Sequence, residues 1–181
     1  ASNTIYDIKV TDYTTDIEGW QIHKIGEYFQ DNGNIFDGMT AADSLKGHEG
    51  FYYKRLIPVK DTTSFPKDTS IYINYTGRLL DGTVFDTTDE RLAKDSGIWS
   101  SSRTYEPVKI NWGENYTDLT MGSNSSSVIT GFALTLWQMR KFEKGIGVFT
   151  SDYGYGYSGS GENIPGFAPL SFEIEVVAKP E

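Results

Sequence analysis

Ser70-Ile-Tyr-Ile-Asn-Tyr75-Thr-Gly-Arg-Leu-Leu80-Asp-Gly-Thr-Val-Phe85-Asp-Thr87 is the stretch whose reading decides the fold. Ile71, Ile73 and Tyr75 alternate with Tyr72 and Asn74, a period of two that gives a strand one buried face. Asp81-Gly82 supplies the turn dipeptide that a tight hairpin needs, and Thr83-Val-Phe-Asp86 begins the return strand.

Working outward, the same texture recurs on both sides. Leu170, Phe172, Ile174 and Val176 alternate with Ser171, Glu173 and Glu175, predicting a half-buried strand over Leu170–Val177. Shorter strands are predicted at Phe51–Ile57, stopped by Pro58, at Val108–Trp112 and at Ile146–Thr150. Phe132, Leu136 and Met139 recur at helical spacing, so Phe132–Lys141 is the core helix, ended by Gly145. Several antiparallel strands with one amphipathic helix before the last two make an α+β domain. The economical solution packs one face of a twisted sheet on that helix.

Residues 1–48 read as an extension and 49–181 as the main domain. Ile8 and Val10 allow a short strand. Thr15 and Glu18 fit a capping box, and Trp20, Ile22, Ile25, Tyr28 and Phe29 predict a helix over Ile17–Gln30, closed by Asn32-Gly-Asn34. That helix packs either on its own domain or on a partner. Asp31–Gly50, rich in Gly, Asn and Asp, reads as a linker. Within the main domain, Thr87–Pro107 and Glu114–Ser127 are long polar loops. Thr87 and Glu90 offer the first of them a second capping box, for a helical turn over Asp89–Lys94.

Composition removes several function classes. A net charge of −9 disfavours nucleic acid, because phosphate binding needs clustered Lys and Arg. With no cysteine, disulfides, thiolate nucleophiles and Cys-bound zinc are excluded. No apolar run approaches the roughly 20 residues of a membrane-spanning helix. His23 and His48 sit in no metal-ligand pattern, and no G-x-S-x-G elbow accompanies them. Gly154-Tyr-Gly-Tyr-Ser-Gly159 matches a dinucleotide-binding spacing, but Gly161 and Pro165 follow it, so no helix N-terminus receives a pyrophosphate. What remains is a concentration of aromatic residues around turns: Tyr75, Phe85, Trp112, Phe132, Tyr153, Tyr155, Phe167 and Phe172. They form either the core of a small β-rich domain or a concave apolar pocket with a few polar groups.

Several motifs in a fixed order resemble one family. Ile73-Asn-Tyr-Thr-Gly through Phe85-Asp86, then Val128-Ile-Thr-Gly-Phe132, Asp152-Tyr-Gly-Tyr-Gly156, and Ile164-Pro165 with Leu170 and Phe172-Glu-Ile-Glu175 are similar to the signatures of the FKBP-type peptidyl-prolyl cis-trans isomerases. The resemblance covers about Gly50 to Val177. It implies a sheet of about five strands wrapped around the central helix, and rotation of X-Pro amide bonds to assist protein folding, without cofactor or metal. It implies Tyr75, Asp86, Ile129 and Tyr155 as the catalytic groups, and Phe85, Val108, Val128, Phe132, Ile164 and Phe172 as the substrate-binding ones. Val108 stands where the family often has Phe, and Phe132 where it usually has Trp. Ser160 replaces a larger loop residue, and Gly166 interrupts a common Pro-Pro. The implied partners are proline-containing polypeptides and a macrolide ligand. The alternative is a proline-segment-binding chaperone or assembly module with little turnover. An acidic, Cys-free chain that begins with Ala leans toward the bacterial envelope after leader removal, with the cytoplasm as the alternative.

Overall fold

The computed structural model describes residues 14–181, so the strand expected around Ile8 and Val10 lies outside the described residues. The elements are α1 (Ile17–Asp31), β1 (Phe51–Ile57), β2 (Ser70–Leu79), β3 (Val84–Thr87), α2 (Glu90–Asp95), β4 (Val108–Asn111), β5 (Thr120–Met121), β6 (Ser126–Ser127), α3 (Thr130–Gln138), β7 (Lys144–Phe149) and β8 (Leu170–Val177). The strands form one sheet in the order β1-β7-β8-β2-β4-β5-β6, with β3 folded back on β2, and every pairing is antiparallel.

β2 and β8 turn their apolar residues to one core, and the alternation in β1 and β7 sorts residues between two. The inner face packs Phe51, Ile73, Tyr75, Phe149, Phe172 and Ile174 with Phe132, Leu134 and Leu136 of α3. The outer face turns Tyr52, Ile146 and Val148 toward Ile25 and Phe29 of α1 and toward Phe36. Consecutive residues of β1, Phe51 and Tyr52, thus serve opposite cores, as the strand pleat requires. Close approach of α3 to the sheet depends on Gly147. A Cβ there would lie 1.9 Å from Thr135 Oγ1.

Four expectations are corrected. The sheet has eight strands rather than about five, partly because the Glu114–Ser127 loop contributes the short β5–β6 pair beyond β4. The central helix runs Thr130–Gln138 rather than Phe132–Lys141. It stops because Met139 turns extended (ψ 159°) and drives its side chain fully into the core. Asp16, not Thr15, caps α1, its carboxylate accepting the Gly19 N–H at 2.9 Å; Asp89, not Thr87, caps α2 through the Leu92 N–H. Carboxylates at these positions also favour the helix N-terminus electrostatically. Finally, the segment expected as a linker is a chain of turns that carries Phe36, only 1% exposed, into the outer core.

Candidate active site

The hairpin and the last strand build one wall. The β2–β3 register shifts between Gly77 and Arg78, and this irregularity re-aims Phe85 and Asp86. Gly77 opposes Phe172 across β2–β8. A Cβ on it would lie 2.6 Å from the Phe85 ring and 2.7 Å from the Phe172 ring, so glycine leaves room for those rings to meet. Phe85 and Phe172 cross edge to face at 5.4 Å, Phe172 and Phe132 at 5.1 Å, and Phe132 and Tyr75 at 5.3 Å. Each such pair adds about 0.5–1.5 kcal/mol beyond its buried area, so the wall is rigid.

In front of this wall is a cavity of about 270 Å³ lined by Phe85, Asp86, Tyr155, Ser160, Gly161, Asn163, Ile164 and Phe172. Its outer lip is a closed turn in which the Ser160 N–H donates to the Ile164 carbonyl at 2.9 Å and the Ile164 N–H returns to Ser160 at 3.1 Å. The loop carrying Tyr155 is anchored from behind. The Ser151 N–H donates to Gln21 Oε1 at 2.6 Å, and Gln21 Nε2 donates to Ser151 Oγ at 2.9 Å, both residues buried.

The polar corner is a network of Tyr75, Asp86 and Arg103. The Tyr75 hydroxyl donates to Asp86 Oδ2 at 2.7 Å, Arg103 Nη1 is hydrogen-bonded to Asp86 Oδ1, and Arg103 Nη2 donates to Tyr75 Oη at 3.2 Å. Burial, reinforced by the Asp86 charge, pushes the Tyr75 phenol well above its ordinary range, so it remains a neutral donor. Both Asp86 oxygens are thereby held, one by the Tyr75 hydroxyl and one by the Arg103 guanidinium. Burial and then the Asp86 charge also raise the Tyr155 phenol. Its hydroxyl makes no hydrogen bond to protein among the described residues, and the residue is 37% exposed.

Of the residues named from sequence, Phe85, Asp86, Tyr155, Ile164 and Phe172 line the cavity together. Tyr75 and Phe132 are buried behind Phe172 and contact it through their rings. Val108, Val128 and Ile129 are half-buried against the same core but do not line this cavity. Ile129 is the N-cap residue of α3, and its carbonyl accepts the Ala133 N–H at 3.1 Å. Arg103 was not named from sequence. It lies in a polar loop without periodicity, and only the need of a half-buried carboxylate for a counter-charge hinted that some cation belonged there. Among the described residues, no group of three or more His, Cys, Asp or Glu side chains is placed to hold a metal.

An aromatic slot of this size, with the Tyr155 hydroxyl at its rim and an ion-paired carboxylate at its corner, has the dimensions and lining to take a small apolar ring. The model of the FKBP-type peptidyl-prolyl cis-trans isomerase family matches residues 62–177, and the chain belongs to that family. It is 27% identical over 157 residues to a macrophage infectivity potentiator of Trypanosoma cruzi, covering 86% of this chain and 67% of that protein. It is 33% identical over 114 residues to FK506-binding protein 1A of Aspergillus fumigatus, covering 62% of this chain and 80% of the other. A solved peptidyl-prolyl cis-trans isomerase of Pseudomonas syringae aligns with a TM-score of 0.52 at 26% identity, over 93% of this chain and 98% of that one. The chain is accordingly a peptidyl-prolyl cis-trans isomerase.

Proposed function

We propose that catalysis takes place in the Phe85–Phe172 slot, with Asp86 and Tyr155 at its polar edges. The observation that carries this reading is the meeting of the aromatic cluster and the Tyr75–Asp86–Arg103 network at one cavity. The planar X-Pro amide is held by resonance, with a barrier of about 18–20 kcal/mol. Lowering it by roughly 5–7 kcal/mol raises the rate to about 10²–10³ s⁻¹. A twisted amide has lost resonance and carries a less polar carbonyl. A dry aromatic slot therefore binds it better than the planar, solvated ground state, which is the differential binding that catalysis needs.

In this reading Phe85 and Phe172 flank the proline ring, and Phe132 forms the floor behind them. Val108 and Val128 complete the apolar surround, and Ile164 closes the lip. The Ile129 N–H fixes a substrate carbonyl, the Tyr155 hydroxyl donates to the substrate backbone, and Asp86, oriented by Tyr75 and Arg103, sets polarity beside the rotating carbonyl. Residues 49–181 form the catalytic domain and 1–48 its extension. Proline-containing polypeptides are the substrates. A macrolide ligand fits the same slot, a reading supported by the similarity to FK506-binding proteins. Among the described residues, no helix is long and apolar enough to cross a membrane. An extracytoplasmic location accompanies the reading, supported by the similarity to a macrophage infectivity potentiator, and cell fractionation checks it.

NMR exchange on short X-Pro peptides tests the site. Asp86→Val and Phe172→Ala are each expected to lower kcat/KM by about tenfold or more, since each shifts the barrier by at least about 1.4 kcal/mol. Wild-type exchange no faster than that of both variants overturns the assignment. Peptide binding without any exchange enhancement favours the binding-module reading instead.

A further inference from the structure

A groove of about 640 Å³ lies at the opposite end of the β2–β8 pair from the aromatic slot. The slot is built where Gly77 faces Phe172, and the groove begins where Tyr72 faces Val177, five residues back along β2. That separation is about 17 Å along a strand. The floor is apolar, with Phe65, Ile71 and Val176, and the exposed ring of Phe142 forms part of the rim.

Its charge runs against the rest of the molecule. Lys109, Lys141 and Lys179 line the groove, and no carboxylate does, in a chain whose net charge is −9. None of these lysines is in an ion pair among the described residues. Asp61 lies within electrostatic reach of Lys141, but its Oδ1 accepts the Thr63 N–H at 2.9 Å. Asp68 belongs to the loop of Pro66 and Thr69 yet does not line the groove.

A second feature coincides with the charge. Phe142 has φ +64°, a left-handed conformation that costs a bulky residue of order 1–3 kcal/mol, and its side chain is 52% exposed. Lys141 Nζ sits 5.1 Å from the centre of its ring. The fold thus holds an aromatic ring in solvent in a strained conformation, beside a cation, over an apolar floor.

We propose that this groove is a second polypeptide-binding surface, which takes an extended segment with an apolar residue flanked by Asp or Glu. The apolar residue packs on Phe65 and Phe142, and the flanking carboxylates reach the three ammonium groups. Complementary charge at such a rim sets partner choice and encounter rate more than it sets total affinity. The site is independent of the isomerase reaction, and it selects acidic segments that carry an apolar residue.

The test uses fluorescein-labelled Asp-Glu-Phe-Glu-Asp-amide, which has no proline, in an anisotropy titration of the full chain. The Lys109→Gln/Lys141→Gln/Lys179→Gln variant is expected to bind at least about tenfold more weakly, and Phe142→Ala several-fold more weakly. Raising salt from about 0.05 to about 0.5 M weakens wild-type binding, as screened charge requires. Lys-Lys-Phe-Lys-Lys-amide does not bind. Exchange on a short X-Pro peptide stays within about twofold in both variants, confirming that they fold and that the slot is untouched. Equal affinity of wild type and triple variant for the acidic peptide overturns the proposal. Binding of phosphatidylglycerol vesicles without peptide binding overturns it in favour of a lipid surface. Dimerisation that the triple variant abolishes, again without peptide binding, overturns it in favour of self-association.

Discussion

The two faces of the sheet solve the same burial problem with different materials. The inner face meets α3 through a dense aromatic set, and part of that set reaches the surface as the slot. The outer face meets α1 through a smaller cluster around Ile25, Phe29, Phe36 and Tyr52. Yet a buried contact joins the α1 side to the slot side. Gln21 on the outer helix grips Ser151, four residues before Tyr155. With catalysis placed in the slot as proposed above, one face carries the chemistry and the other anchors the loop that brings Tyr155 to it.

Four changes break or sharpen that contrast. Phe149→Ala removes a fully buried inner ring that stacks on Phe172 at 6.0 Å. It is expected to cost about 3–5 kcal/mol in denaturant unfolding and to lower exchange activity as well. Phe29→Ala, in the outer core, is expected to cost about 3 kcal/mol, near the low end because half-buried Tyr28, Met39 and Leu56 can close on the space. At temperatures where it is folded, activity on a short peptide stays near wild type. Loss of both in the second variant would erase the division between the faces.

Gln21→Leu leaves the Ser151 N–H and hydroxyl without partners, at a cost of about 1–3 kcal/mol. Hydrogen exchange should rise at 151–158 ahead of the sheet, with KM increasing more than kcat falls. The smallest effect is on alkaline stability. Burial, then the Glu143 hydrogen bond, pushes the Tyr53 phenol up, and burial does the same for Tyr75. A native phenol with a raised pKa keeps its proton after the unfolded phenol loses it, so the stabilisation is complete below about pH 10 and declines as pH rises past it. Tyr53→Phe is expected to flatten that limb of the stability profile, measured by urea unfolding between about pH 8 and 11.

The sheet was legible where side chains obey its period. Ile71, Ile73 and Tyr75, and the alternation of β8, declared their faces without help. The end of α3 was not legible, because Met139 is a good helix former and only the pull of the core makes it extended. Nor did any local rule reveal the eight-residue-scale irregularities around Thr120 and Ser126, whose strands are two residues long. In the slot, the rings and Asp86 followed from motif order. Arg103 did not, because the loop that delivers it is placed by contacts distant in sequence. Gln21 was invisible for the same reason, since its partner lies 130 residues away.

β1 pairs with β7 along Phe51–Ile57, upstream of the family match that begins at residue 62. A fragment cut to the family limits would therefore strip the hydrogen bonds from one side of β7 and uncover Ile146 and Val148. That is an open, apolar sheet margin of the kind that recruits other chains. The residues that match the family and the residues that complete the sheet are thus different sets in this chain, and β1 belongs only to the second.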